Sequence, residues 1–398
     1  MHLHYLRTIK LLNTFLFTVF ITACGGSAGP EATDTTALTP GTPTLPAPPV
    51  AASNGKLKIF ILAGQSNMVG YGKVELGGDL SKTSRTPHIL GGAGSLRGMV
   101  NSDRLAYSYL VNPNKTVTYT IKADAATGAR ADTQTFPSWA VRDDVWISNW
   151  DEGAIGKTTQ RSSGALTVGF GSENVLPAGY IGPEFGFGHM VGNGLEDKVL
   201  LIKTSWGGKS LAVNFRPPSS VGSGVGSPAD ASIADVTGTY YIEMVNKVRL
   251  VLSDIKKYYP DYDEKKGYEV VGLGWHQGWN DRDRVEYVAQ YEFNLVNLIR
   301  DLRKDLNLPK LLVVIGNTGM ANAYEGKALK LVEAQGAVTN AIKYPEFAGT
   351  VSTVDTRPFD KPNNSPEVGF VHHWNYNGES YFKVGESMGT AMLKLMNP

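Results

Sequence analysis

The sequence predicts an α/β fold, a five-stranded parallel sheet with helices on both faces. Five short apolar runs are bounded by polar residues and glycine, which is the pattern of strands covered on both sides. Between them lie segments whose apolar residues recur every three to four positions, as on one face of a helix. Strands that alternate with helices are joined by crossovers, and crossovers leave neighbouring strands parallel.

The first run is Leu57 to Ala63 (LKIFILA). Val199 to Lys203, Val270 to Trp275, Leu311 to Ile315 and Gly349 to Val354 follow in order. Ile242, Val245, Val248, Leu252 and Ile255 form one helical stripe. Val288, Tyr291, Leu295, Leu298 and Leu302 form a second, on a helix that must stop before Pro309, since proline has no N–H to donate. Ala328 to Ile342 and Asn377 to Leu395 read as two further helices. In such sheets ligands bind beyond the carboxyl ends of the strands, so residues that carry chemistry should follow strands directly.

Residues from about 70 to 182 break the alternation and read as a long, partly β insertion beside the sheet. Within it Thr116 to Lys122 alternates Val117, Tyr119 and Ile121 with polar residues, the mark of a half-buried strand. Trp139, Trp146 and Trp150 are core residues or the rim of a sugar site. Aromatic rings serve either purpose.

The leading segment stands apart from the fold. Arg7 and Lys10 precede an apolar run from Leu11 to Ala23, too short to span a bilayer comfortably, and residues 1–24 read as a signal peptide. Its end, Ile21-Thr22-Ala23-Cys24, resembles the lipobox of bacterial lipoproteins, which implies lipidation of Cys24. Residues 25–55, rich in Thr, Pro and Ala, form a tether, and residues 56–398 form the domain. The expected location is the bacterial cell envelope, lipid-anchored, in the periplasm or at the surface.

Composition excludes several functions. A hydrophobic share of 42% and an aromatic share of 10% describe a folded protein, neither disordered nor fibrous. Lys+Arg of 38 against Asp+Glu of 37 leaves no excess of positive charge, and nucleic acid, whose binding needs phosphates neutralised, is not an expected partner. Cys24 is the only cysteine, which excludes a disulfide framework and a thiolate cluster. There is no HExxH and no Cys/His spacing, and no metal is expected. Gly208-Lys209-Ser210 ends like a phosphate loop, yet Lys203 stands where the first glycine belongs. Gly169-Phe170-Gly171 begins like a dinucleotide fingerprint, yet Asn174 replaces its third glycine. No cofactor is expected.

Four motifs follow strands. Gly64-Gln65-Ser66-Asn67-Met68 places a serine in a tight turn, where a rigid scaffold exposes its hydroxyl. Gly64 turns without a Cβ clash, and a helix beginning at Ser66 would aim N–H groups at an oxyanion; the alternative is a helix-capping serine. Thr204-Ser205-Trp206-Gly207-Gly208-Lys209-Ser210 follows the second strand, and its paired glycines let main chain approach a ligand. Trp275-His276-Gln277-Gly278-Trp279-Asn280-Asp281 follows the third. Gln277 or Asn280 supplies an amide donor there, and Asp281 is a helix cap or a functional acid. Val371-His372-His373-Trp374-Asn375-Tyr376-Asn377 precedes the last helix and offers an imidazole base for Ser66. His276 and His189 read as structural residues.

GQSNM, GGKS, the QG-containing third block and the late HWN resemble the sialate O-acetylesterase and carbohydrate esterase family six group of the SGNH hydrolases. The resemblance spans most of residues 57–398, including Gly182-Pro183-Glu184 and Ala334-Gln335. It implies a flavodoxin-like three-layer α/β/α sandwich and a metal-free serine esterase that removes acetyl groups from sialate or from plant or algal polysaccharide. Ser66 matches the nucleophile, His373 the base, Gly207 or Gly208 the oxyanion glycine and Asn280 an oxyanion amide. Gln65 and Gln277 are implied to contact substrate. Two positions depart from the pattern. Trp279 stands where family six has the glutamate of HQGE, and Phe370 or Gly369 stands where an aspartate precedes the histidine by three. The acid that orients His373 must then be Asp281, Asp355 or Glu367, with Asp281 preferred. Two other functions share these residues: a carbohydrate-binding surface lipoprotein of weakened activity, and an esterase for lipid esters.

Overall fold

Every residue of β1 (Leu57–Gly64) is buried, as a strand covered on both faces must be. The computed structural model describes residues 53–77, 89–101, 105–121, 131–154, 157–172, 178–222, 237–361 and 371–397. The expected signal peptide, Cys24, nearly all of the tether and Glu367 lie outside these. Around β1 the sheet is built from β2 (Arg142–Ala154), β3 (Lys157–Leu166), β4 (Val199–Ser205), β5 (Tyr268–His276), β6 (Leu312–Gly316) and β7 (Val351–Val354). Its order is β7-β6-β5-β1-β4-β2-β3. All neighbours pair parallel except β2 with β3.

The five strands expected from the sequence are all present, in the order that places β1 at the centre of a flavodoxin-like sheet. The number was short by two. The insertion does not only pack beside the sheet: its strands β2 and β3 extend it to seven. β2 reads as RDDVWISNWDEGA, with too many polar residues for a doubly covered strand, and β3 closes the edge by turning antiparallel. A second hairpin of the insertion, Val111–Ile121 with Asp132–Trp139, contains the expected strand at Thr116.

Alternation along each strand sorts the side chains into two cores. Ile59, Ile61, Leu200, Ile202, Leu273, Trp275, Val313 and Ile315 face one side. There they meet α3 (Thr239–Ser253), α5 (Val285–Asp305) and α6 (Gly326–Ala337) through Val245, Val248, Tyr291, Leu295, Leu298 and Leu331. Phe60, Leu62, Leu201 and Val314 face the other side. α2 (Pro183–Gly194) and α7 (Gly378–Met396) cover that side with Phe187, Val191, Phe382, Val384 and Met388. Each such side chain fully buried contributes about 1.5–3 kcal/mol by leaving water. α3 is rotated slightly from expectation. Tyr241 and Met244 point inward, while Ile242 is 54% exposed. α6 stops at Ala337, short of Ile342.

The insertion tryptophans belong to the body of the protein. Trp139 is buried and donates to Glu75 Oε1 at 2.6 Å. Trp150 is buried among the first core, and Trp146 packs on Tyr259. None of the three forms a sugar rim.

Candidate active site

β1 and β5 run side by side to their carboxyl ends, with Gly64 opposite His276. A Cβ on Gly64 would lie 2.1 Å from the His276 carbonyl oxygen. Only glycine lets the two strands finish this close. Ser66 then opens α1 (Ser66–Val69), a single turn of four residues. A turn this short carries little helix dipole, and individual N–H groups, as the sequence suggests, are what remain for an anion. Ser66 is 6% exposed, and among the described residues no hydrogen bond engages its hydroxyl. It does not cap the turn, whose N-cap is Gln65.

The residues on either side of Ser66 bind the other motifs to it. Gln65 Oε1 accepts hydrogen bonds from Gln277 Nε2 at 3.2 Å, Gly278 N at 3.1 Å and Asn280 N at 3.0 Å. Asn67 Nδ2 donates to the His372 carbonyl at 3.0 Å, and its Oδ1 accepts from the Tyr381 hydroxyl at 3.0 Å. One amide therefore holds the third block and the other holds the last. Net hydrogen bonds of this kind contribute about 1 kcal/mol each, and more is lost when one partner is removed from a buried pair. Gln65 and Gln277 are each 1% exposed. Their polar ends serve the scaffold, where the sequence reading had put them against substrate.

In the second block Trp206 N donates to the Gly64 carbonyl at 3.2 Å, which sets this turn beside the first. Gly207 and Gly208 are exposed, and a Cβ on either would meet nothing within 4 Å. Asn280 lies in α4 (Trp279–Arg282), and its Nδ2 donates to the Gly208 carbonyl at 2.8 Å. The three residues expected around an oxyanion thus adjoin one another at the open rim.

Asp281 does neither of the things expected of it. It is fully buried, and its carboxylate accepts from Leu211 N at 3.0 Å, Ala212 N at 2.9 Å and Gln277 Nε2 at 2.6 Å. Burial pushes its pKa up to about 6, against the hydrogen bonds, which favour the anion. Asp281 fastens the second block to the third and, among the described residues, makes no hydrogen bond to a histidine. Asp355 is engaged by Arg357 and Asn317, which hold its carboxyl below the usual range.

The last block begins with His372 and His373. His373 stacks face to face on Tyr71, with ring centroids 4.1 Å apart and planes 3° apart. Tyr376 lies 5.9 Å away on centroids, and His372 lies 4.2 Å away. Among the described residues, no hydrogen bond reaches the buried Nδ1 of His373. Burial, with His372 adding to it, pushes the imidazole down to about 3. The chain then runs through Trp374, Asn375 and Tyr376 with φ of 50°, 52° and 59°. L-residues adopt this left-handed region at a cost of about 1–3 kcal/mol each, so the surroundings must impose it. Buried Trp374 is one restraint: its Nε1 donates to His276 Nε2 at 3.4 Å, while His276 Nδ1 donates to the Gly316 carbonyl at 2.9 Å. The two bonds fix a neutral tautomer on His276, and burial pushes its pKa down to about 4. His276 is structural, as expected. His189 is also buried, although among the described residues neither ring nitrogen finds a partner.

The structure thus brings the first and last motifs to one rim, through Asn67 on His372 and Tyr71 on His373. The Ser66 hydroxyl and the His373 ring are not hydrogen-bonded to each other. In enzymes without substrate such bonds are often long, and they tighten when substrate binds. Sequence reasoning missed the roles of Gln65, Asn67 and Tyr71. The signal that was present is the pair of amides flanking the serine.

Comparison with known proteins points the same way. Residues 168–394, more than half of the chain, match a family described as carbohydrate esterase, sialic acid-specific acetylesterase. The match contains the second, third and last motifs and begins after Ser66. No curated protein matches. Among solved structures, a protein of Arabidopsis thaliana is similar at 18% identity and a TM-score of 0.47, over 85% of this chain and 98% of that one. A carbohydrate acetylesterase of Xanthomonas citri is similar at 11% identity and a TM-score of 0.42, over 83% and 55%. A carbohydrate esterase family 2 enzyme with a carbohydrate-binding domain, from Corynascus thermopiles (Myceliophthora fergusii), is similar at 15% identity and a TM-score of 0.36, over 90% and 69%.

Proposed function

Because the chain belongs to the carbohydrate esterases of the sialic acid-specific acetylesterase family, we propose that it removes O-acetyl groups from carbohydrate through an acyl-enzyme on Ser66. The observation that carries this reading is the convergence around Ser66. Gln65 and Asn67 bind the third and last motifs to the turn that presents the hydroxyl. The last motif supplies an imidazole, the side chain that most often serves as general base.

In the proposed reaction the Ser66 oxygen attacks the acetyl carbonyl carbon as His373 takes its proton. The main-chain N–H of Ser66 and that of Gly207 or Gly208, with the Asn280 amide, stabilise the oxyanion. The bond from acyl carbon to sugar oxygen then breaks, and His373 returns the proton to the departing hydroxyl. Water attacks the acetyl-serine by the same route and releases acetate. Acetate released from an acetylated polysaccharide or acetylated sialate, with esters of longer acyl chains turned over at least about 10-fold more slowly in kcat/KM, is the expected result. The scale is that of a few methylenes excluded from a small pocket. Preference for the longer chains would transfer the site to lipid esters. Binding of sugar without turnover would favour the carbohydrate-binding reading, which draws support from a His373 Nδ1 that finds no partner among the described residues.

We further propose that Cys24 anchors the protein by lipid in the cell envelope, with the site turned away from the anchor. Asp197 accepts hydrogen bonds from Ser53 and from the N–H of Gly55 at 2.9 Å, at the amino end of β1. The tether therefore joins the domain at the edge opposite the motifs. A Cys24→Ser protein should move from the membrane fraction to the soluble fraction with its hydrolysis intact. Continued membrane retention would remove the anchor from the proposal.

A further inference from the structure

We propose that Tyr71 is a positioning residue, whose ring fixes the plane of the His373 imidazole, one of the two tasks a carboxylate performs in a Ser-His-acid triad. This rests on the reading of His373 as the base for Ser66. In such triads the acid performs two tasks: it fixes the plane and tautomer of the imidazole, and it stabilises the imidazolium. Here Asp281 is committed to the second and third blocks, and Asp355 to Arg357 and Asn317. One face of the imidazole lies instead on Tyr71, the two rings nearly parallel with centroids 4.1 Å apart.

Offset stacking at this separation is worth about 0.5–1.5 kcal/mol beyond the area it buries. It fixes the ring plane but leaves rotation within that plane to the other neighbours. Tyr376 stacks within 5.9 Å of both Tyr71 and His373, and Tyr180 lies 6.1 Å from Tyr376. His372 abuts from the same segment at 4.2 Å. Lys73 Nζ lies 5.6 Å from the far ring, that of Tyr376. The groups facing His373 are thus two tyrosines and a second imidazole, with no carboxylate among the described residues. The left-handed run from Trp374 to Tyr376 follows directly and holds Tyr376 against this stack.

The two modes of orientation differ in their pH behaviour. A carboxylate raises the pKa of its histidine by stabilising the cation. An aromatic cover lowers it by excluding water from the cation. A base must be neutral, so an aromatic cover extends activity toward acid. Removing the cover should readmit water, raise the pKa toward the ordinary value of about 6.5 and shift the acidic limb of the kcat/KM profile to higher pH. A loss of packing elsewhere in the site would lower activity without moving that limb.

The test is hydrolysis of a chromogenic acetate from pH 4 to 9 by the full chain, its Tyr71→Phe, Tyr71→Leu and Glu367→Gln forms, and Ser66→Ala. Tyr71→Phe keeps the ring and should stay within about threefold of the parent. Tyr71→Leu should lose about 10²-fold in kcat, the low end of what a general base supplies, with KM within about threefold and the acidic limb moved up. Should Tyr71→Leu fail to fold, NMR titration of His373 in the unaltered protein replaces it. A midpoint well below 6.5 supports the proposal, and an ordinary midpoint overturns it. Full kcat and an unmoved limb in folded Tyr71→Leu also overturn it, as does a loss confined to Glu367→Gln. If Ser66→Ala is inactive in the same assay, only the role of Tyr71 has failed. If Ser66→Ala is active, the reading of the whole site has failed.

Discussion

Replacing Ser66 with alanine should lower kcat on an acetyl ester by at least about 10⁴-fold, the scale seen when a serine hydrolase loses its nucleophile. The change removes a single oxygen whose hydroxyl is bonded to no described residue. Folding should therefore be little affected, and the loss should fall on the chemistry. Gln65 and Asn67 keep their bonds to the third and last motifs in this variant, and sugar binding should persist. His373→Ala should cost a similar amount, and the double variant little more than either single one, because nucleophile and base act as a unit. Mass spectrometry of the parent, quenched during turnover, should find acetyl on the peptide that contains Ser66. Ordinary turnover by a folded Ser66→Ala protein would place the chemistry elsewhere.

Most of the sheet was legible in the sequence, because a strand covered on both faces has to read as a continuous apolar run. Leu57 to Ala63 meets that condition and is wholly buried. β2 does not meet it. Val145 and Ile147 turn to one core while Trp146 and Trp150 turn to the other, with Ser148, Asn149 and Asp151 between them. Such a strand is recognisable only once its neighbours are known. The site divides in a similar way. The positions of Ser66, Gly207, Asn280 and His373 follow from the rule that motifs trail strands. What Gln65, Asn67 and Asp281 do depends on partners remote in sequence, such as Gln65 and Gln277, which are 212 positions apart. No local pattern encodes that distance. The missing aspartate before His373 was visible as an absence, but the stacking of Tyr71 on that histidine could be found only in three dimensions.

Lys203→Met should destabilise the domain by about 3–5 kcal/mol, the cost of leaving one half of a buried ion pair behind. Lys203 and Glu184 both have fully buried side chains, and they meet at 2.7 Å. The ammonium also donates to the carbonyls of Val69 and Phe170, each at 2.8 Å. Glu184 receives the Gly182 N–H at 2.8 Å and sits in the first turn of α2, where the helix dipole favours its charge. This pair lies directly beneath α1, so one cation fastens the nucleophile turn, the insertion and α2 to the central sheet. Burial alone pulls the lysine pKa down, and Glu184 opposes it. In Lys203→Met the remaining carboxylate must either stay charged without a partner or take up a proton. By the usual entropy per residue, a domain of this size should melt roughly 4–7 °C lower. Replacing both partners, as Lys203→Met with Glu184→Leu, should cost clearly less than the two single changes added together, because no charge is left stranded. Recovery will be partial, since the Val69 and Phe170 carbonyls still lose their donor. If the costs simply added, or Lys203→Met melted with the parent, the pair would contribute little and the rigidity of the Ser66 turn would have to come from Gln65 and Asn67 alone.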